Sequence, residues 1–364
     1  MIPIYNTLVI SVTLLLPISI FSLTECDFPA IFNFGDSNSD TGGLSAMFGQ
    51  APPPNGETFF HSPAGRYCDG RLLLDFIAEH LELPFLSPFL DSIGTNFSHG
   101  ANFATAGSTI RRQNTSIFQS GYSPIALAIQ YAEFSNFYTR SQIIRQREDF
   151  YKNLFPQKDK FSKALYTFDI GQNDLTAGYK LNMSTEQVEA FVPDVISQFI
   201  TTVKPADLDK FGCATAFNDV SHYFNKKLKK AVIELRKELE SAAITYVDIY
   251  SVKYSLIGKA KELGFDDPFL VCCGHGGRYN FNNARRCGAT EIVDGKEILI
   301  AGSCEHPSSR ILWDGIHFSE AANRWIYGQI AKGEFSDPPV PLKLACHKGE
   351  VKAMESNHYQ GLKL

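Results

Sequence analysis

Residues 30–37 read Ala30-Ile31-Phe32-Asn33-Phe34-Gly35-Asp36-Ser37, a short apolar run that ends in a glycine, a carboxylate and a hydroxyl. Such a run, closed by turn residues, predicts a strand buried on both faces with a turn at its carboxyl end. A strand covered on both sides belongs to a parallel sheet between layers of helices. Working outward, Ala164 to Gly171 reads as a second buried strand and Ile244 to Ile249 as a third, while residues 96–108 form an apolar patch broken by small residues. Helical spacing predicts helices over Arg71–Leu83, stopped by Pro84, and over Ser123–Leu154 as one long helix or two. Further helices are predicted for Val188–Val203 behind the Ser184/Gln187 capping box, for the stripe Phe217 to Leu239, and after Ser319. Strands alternating with helices imply one parallel α/β sheet with helices on both faces. Residues 204–215 break the alternation, because they join two helices with no strand between, and a right-handed crossover should return to a neighbouring strand.

The chain has 364 residues, 34 Lys+Arg against 39 Asp+Glu, 44% hydrophobic and 20% charged residues. That composition can bury a sizeable core and excludes disorder as the main state. The near-neutral balance argues against a nucleic-acid partner, which requires clustered Lys and Arg. The one basic run, Lys226-Lys227 with Lys229-Lys230, precedes Glu234, Glu238 and Glu240 and reads as a solvated helix face.

Residues 1–24 carry no charged side chain, and Leu8 to Leu16 is an apolar core followed by Pro17, Ser19 and Ser22. This reads as a secretory signal peptide cleaved before Glu25; an uncleaved anchor is the alternative, since no Lys or Arg precedes the apolar core. The expected organisation is a leader over 1–24, a domain over 25–346 and a tail over 347–364. No other stretch is long and apolar enough to span a bilayer. Export makes the eight cysteines candidates for disulfides, with two bridges expected among Cys272, Cys273, Cys287 and Cys304. A zinc site at Cys272, Cys273, His275 and Cys287 is the rival, but adjacent cysteines lack the spacing that lets two thiolates of one turn reach a tetrahedral metal. Sequons at Asn96, Asn114 and Asn182 point to glycosylation.

Gly35-Asp36-Ser37 alone reads equally as a polar turn. Its position at the carboxyl end of a buried strand is where α/β folds present ligands, and where a hydroxyl can face solvent beside a backbone N–H. No G-x-S-x-G elbow surrounds Ser37, which disfavours a standard α/β-hydrolase. Of nine histidines, His317 has the best context for a base: Asp314 stands three residues before it, close enough in a loop to hold Nδ1–H and leave Nε2 free. A loop with incidental polar residues is the plain alternative. Gly171-Gln172-Asn173-Asp174 supplies an amide after the second strand, and Gly107 a backbone N–H without an obstructing side chain.

Four motifs thus stand in one order: Phe34-Gly35-Asp36-Ser37-Asn38-Ser39-Asp40-Thr41-Gly42, Asn102-Phe103-Ala104-Thr105-Ala106-Gly107, Gly171-Gln172-Asn173-Asp174 and Asp314-Gly315-Ile316-His317. Together they resemble the plant GDSL esterase/lipase family of the SGNH hydrolase superfamily, especially its early-nodulin-like and latex-esterase-like branch, from about Cys26 to Cys346. The resemblance implies a three-layer α/β/α, flavodoxin-like parallel sheet. Family members carry a strand and a Gly-Pro-x-Gly-Cys turn between the segments matching Val203 and Lys210; this chain has neither, so one inner strand is expected to be missing. Ser37 would be the nucleophile, His317 the base and Asp314 its orienter, with Gly107 and Asn173 joining the Ser37 N–H in an oxyanion hole. Asp36, Asp40 and Asp174 would shape turns and cap backbone groups.

The implied activity is hydrolysis of carboxylic esters through an acyl-enzyme, without metal or organic cofactor, in an extracellular or cell-wall setting. Acyl lipids, acetylated glycosides and cell-wall esters are the substrate classes left open. The rival classes are a catalytically impaired binding or storage protein, and a glycosidase, for which no flanking pair of carboxylates is identified. Cys26 would join Cys346, and Cys213 would stay unpaired because the missing turn removes a cysteine.

Overall fold

The computed structural model describes residues 25–110, 123–180, 184, 215–282 and 284–347. At its centre is β1 (Ile31–Gly35), buried at every position. It runs parallel to β2 (Gly100–Asn102) on one side and to β3 (Leu165–Asp169) on the other. The register sets Asn33 beside Asn102 and Gly35 beside Asp169. All three strands therefore deliver their following loops to one end of the sheet.

Helices α1 (Gly43–Phe48) and α2 (Leu73–His80) lie between β1 and β2; α3 (Leu127–Arg145), α4 (Asp149–Lys152) and α5 (Lys158–Lys163) lie between β2 and β3. After β3 come α6 (Gln172–Lys180), α7 (Thr215–Glu238), β4 (Tyr246–Val247), α8 (Ile249–Gly258), a hairpin of β5 (Thr290–Val293) and β6 (Lys296–Leu299), α9 (Glu320–Ile330) and β7 (Ser336–Asp337).

The side-chain alternation of β1 builds two cores. Phe32 and Phe34 point to one face, where they meet Phe103 just after β2, Phe137 of α3 and Phe161 of α5. Phe32 stacks on Phe161 with ring centroids 4.8 Å apart, and Phe34 stacks on Phe103 at 5.3 Å. Ile31 points to the other face, against Leu74, Ile77 and Ala78 of α2, and α2 in turn packs on α9. Each fully buried side chain of this size contributes roughly 1.5–3 kcal/mol. The three-layer α/β/α arrangement read from the sequence is thus present around a three-stranded parallel sheet.

The third expected strand is corrected. The run Ile244–Ile249 is not a member of the parallel sheet: only Tyr246 and Val247 are extended, and they pair antiparallel with Asp337 and Ser336 of β7. The strand ends early because Asp248 caps α8, its carboxylate accepting the Ser251 N–H at 3.0 Å. The β5–β6 hairpin was not anticipated; Asp294 and Gly295 turn it with positive φ, the conformation a two-residue hairpin loop requires. The helix expected over Val188–Val203, the gap before Lys210 and Cys213 all lie outside the described residues, as do Asn114, Asn182 and the leader over 1–24.

Three disulfides are formed among the described residues: Cys26–Cys346, Cys272–Cys304 and Cys273–Cys287. Cys68, expected with the other cysteines to be a disulfide candidate, is instead a buried free thiol. The bridges use all four cysteines around residue 272 and leave no thiolate there for zinc. The second strand, expected to be buried, is not: among the described residues β3 pairs with β1 alone, none of its positions is fully buried, and Phe168 stands 63% exposed. A groove of about 500 Å³ runs along this side, lined by Phe34, Leu127, Tyr131, Phe134, Tyr166 and Phe168.

Candidate active site

Ser37 sits two residues beyond β1 and is 4% exposed. The end of β1 is held by Gln130 of α3, whose side-chain amide accepts the Gly35 N–H at 3.0 Å and donates to the Gly35 carbonyl at 2.8 Å. Gly35 must be glycine, since a Cβ would lie 2.3 Å from Ser39 Oγ and 2.5 Å from the Asp169 carbonyl. A buried amide network ties this turn to β2: Asn33 Nδ2 donates to Asn102 Oδ1 at 2.7 Å, and Asn102 Nδ2 donates to the Ser39 carbonyl at 2.7 Å.

The loops after β2 and β3 bring the other expected groups to the same end of the sheet. Gly107 adopts φ +83, and its N–H has no partner among the described residues. The Ser37 N–H is likewise without one. Asn173, in the first turn of α6, directs Nδ2 to the Ser108 carbonyl at 2.9 Å, which fixes the amide beside the Gly107 loop. One of its two hydrogens remains for a ligand.

The His317 loop comes from the far end of the chain. His317 Nδ1–H donates to Asp314 Oδ2 at 2.7 Å, while Asp314 Oδ1 accepts the backbone N–H groups of Ile316 and His317 at 2.9 and 2.8 Å. With Nδ1 so engaged, Nε2 is the ring's free acceptor. Trp313, fully buried on Cys272 and Cys273, backs the loop; its indole N–H donates to Asn55 Oδ1 at 2.9 Å. Ser319 caps α9 just beyond, and Asp69 accepts the Glu320 N–H at 2.8 Å, fastening α9 to the Tyr67–Arg71 loop. Tyr67, which no sequence pattern singled out, lays its ring 5.7 Å from the imidazole.

The electrostatics couple these parts. Burial lowers the His317 pKa, but the charge and hydrogen bond of Asp314, together with Asp36, outweigh it and leave the pKa above its ordinary value. Burial raises Asp314, and its interactions with His317 more than offset this, holding the carboxyl below its usual range. Asp36, next to Ser37, is pushed up to about 7, first by burial and then by Asp169. Its Oδ1 accepts from the Asn38 N–H at 3.0 Å, while Oδ2 is buried without a partner. Since Asp36 acts on His317, the imidazole lies within electrostatic reach of the Ser37 turn. No hydrogen bond joins Ser37 Oγ to His317 among the described residues; such bonds commonly tighten only once substrate is bound.

The sequence model of the GDSL-like lipase/acylhydrolase family matches residues 31–330, a span that includes all four motif regions. The chain belongs to this family. A GDSL esterase/lipase of Arabidopsis thaliana is 58% identical, covering 88% of this chain and 93% of the relative. An esterase of Hevea brasiliensis is 50% identical over 91% and 92%, and an Arabidopsis protein named alpha-L-fucosidase 3 is 54% identical over 85% and 91%. The alignment with the first relative runs over 353 positions although 88% of 364 residues enter it, so that relative carries residues this chain lacks. With this kinship the chain is a serine esterase/lipase, a carboxylic ester hydrolase.

Proposed function

We propose that Ser37 Oγ attacks the ester carbonyl while His317 Nε2 takes its proton, forming an acyl-enzyme. The observation that carries this reading is the 2.7 Å Asp314–His317 pair, within electrostatic reach of a serine at the carboxyl end of the central strand. Asp314 holds the ring in the tautomer that leaves Nε2 as acceptor and stabilises the imidazolium once formed. The oxyanion of the tetrahedral intermediate is received by the N–H groups of Ser37 and Gly107 and by the Asn173 amide. Its collapse breaks the C–O bond, and His317 returns the proton to the departing alcohol. Water, activated by the same imidazole, then releases the acid and restores Ser37.

The fucosidase name of one relative raises a glycosidase alternative, which needs two free carboxylates across the scissile bond. Here Asp314 is committed to His317 and Asp40 to four backbone N–H groups, which favours the ester reading. A fluorophosphonate should label Ser37 and abolish turnover of a short p-nitrophenyl ester; label at another residue, with Ser37→Ala retaining activity, would refute the assignment.

The protein is further proposed to be exported by cleavage before Glu25 and to act on small-molecule or cell-wall esters outside the cell. The three disulfides and the exposed sequon at Asn96 support this. No helix among the described residues is long and apolar enough to cross a membrane. Amino-terminal sequencing of the mature protein and a mass shift on deglycosylation test the export route.

A further inference from the structure

We propose that Asp40 and Asp174 are positioning residues that clamp the Gly107 loop from its two sides and hold the Gly107 amide as an oxyanion donor. The inference rests on the reading of Ser37 as nucleophile and goes beyond it to the groups that aim the hole. Asp40 is fully buried. Its Oδ1 accepts the N–H groups of Gly42 and Gly43 at 2.7 and 2.5 Å, and its Oδ2 accepts those of Leu44 and Ala106 at 3.1 and 2.7 Å. Three of these four bonds only close the turn after Ser37. The fourth crosses to the loop after β2, at the residue directly before Gly107.

The other side of that loop is held from the start of α6. Asp174 Oδ2 accepts the Ile110 N–H at 2.7 Å, and Asn173 Nδ2 donates to the Ser108 carbonyl at 2.9 Å. Within the loop, the Ser108 N–H donates to the Thr105 carbonyl at 3.1 Å, and the Gly107 carbonyl accepts the Ser123 N–H at 3.2 Å. The peptide groups on both sides of the Ala106–Gly107 bond are therefore engaged, while the N–H between them has no partner among the described residues.

The physical need for a clamp follows from Gly107 itself. Its φ of +83 suits glycine, but glycine also makes rotation of the adjoining peptide cheap, and rotation would exchange the N–H for a carbonyl. A carbonyl aimed at a developing oxyanion repels it. Oxyanion donors work because they are oriented before reaction, so the anchor on Ala106 N–H converts a mobile glycine into a fixed donor. Burying a carboxylate is costly, and four N–H donors compensate; one of them being from the distant loop couples the nucleophile turn to the hole.

Asp40→Asn tests the idea, because whichever way the amide turns, its NH₂ opposes two N–H donors. Asp174→Ala approaches from the other side and decides the matter if Asp40→Asn does not fold. In either folded variant kcat for a p-nitrophenyl ester should fall about 10- to 100-fold with KM little changed, a fraction of the ~10²–10³ that losing a whole donor costs. Inhibition by an alkylboronic acid, whose tetrahedral adduct places oxygen in the hole, should weaken by the same factor. Binding of the matching uncleavable alkyl ether should not change. Unchanged kcat, or equal weakening of ether and boronate, would overturn the proposal and reduce both aspartates to turn formers. Failure of the wild-type protein to take a fluorophosphonate at Ser37 would instead sink the reading beneath it.

Discussion

His317 must be neutral to accept a proton, and both carboxylates acting on it favour the charged ring. Because its pKa is raised, the rise of kcat/KM with pH should lie above ~6.5, the ordinary imidazole value. Asp36→Asn removes one of the raising charges, so the rise should move to lower pH; an unmoved profile would show that Asp36 does not act on His317. The same residue makes a stability prediction. A carboxyl raised from 3.8 to about 7 binds its proton more tightly in the folded state, so stability present at acid pH is lost as pH climbs through that window. Melts of Asp36→Asn between pH 4 and 7 should lack this component. Asn173→Ala should cost roughly 10²–10³ in kcat, since it removes a donor and also frees the Ser108 carbonyl; a change in KM alone would make Asn173 a substrate-positioning residue. The Asp314–His317 pair was legible because a three-residue spacing carries its geometry, as the Asx turn at 314–317 shows, whereas the proposed role of Ser37 rests on its place just beyond β1. Tyr67 was not, because its place against the imidazole comes from a loop fastened to α9 by Asp69, Arg71 and Glu320 across about 250 positions of chain.

Among the elements, β1, β3 and α9 could be read because each carries its own signal: an apolar run closed by Gly35, another closed by Gly171, and Ser319 as a cap whose hydroxyl accepts the Ala322 N–H. Ile244–Ile249 misled because a six-residue apolar run suits a strand or the entry to a helix equally well. The capping carboxylate of Asp248 settled the competition locally, and pairing with β7 settled it globally. The hairpin signal at Asp294-Gly295 was present in the sequence but lay between strands that are exposed throughout and so carry no burial pattern. The two disulfides near residue 272 brace the backbone that leads to the Asp314–His317 loop, since Cys272 and Cys273 N–H groups donate to the carbonyls of Leu312 and Trp313. Replacing Cys273 and Cys287 together by Ser should therefore cost about 2–4 kcal/mol and lower activity beyond what unfolding explains. Retained kcat in the folded double variant would show that Trp313 and Asp314 keep their places without the bridge. Cys68 should react with alkylating agents only after unfolding, its thiol being enclosed by Asp69, Arg71 and Asn323.

At the scale of the whole molecule, the sequence expected a sheet short of one strand, and among the described residues β3 has no neighbour beyond β1. The cost takes a different form from a buried, unpaired ladder. Backbone groups at an exposed edge bond to water, so the expected penalty of about 1–3 kcal/mol for each unsatisfied buried group does not apply in full. What is lost is burial of the aromatic side of β3: Phe168 stacks on Phe34 at 4.9 Å with its outer surface in solvent, and Tyr166 is 38% exposed beside it. Completing the burial of two such rings is worth roughly 2–4 kcal/mol. An apolar edge strand is also a template for association with other chains. A form carrying a family-type strand after Val203 should therefore melt several degrees higher and self-associate less than the present form. Its kcat should rise as well, because β3 leads directly into α6, which bears Asn173, the proposed oxyanion donor, and a paired β3 holds that residue more firmly. Differential scanning calorimetry, light scattering and ester turnover on the two forms separate these effects. Equal melting temperatures with equal kcat would mean that the three described strands suffice to build the site, and that the open side of β3 is a tolerated surface.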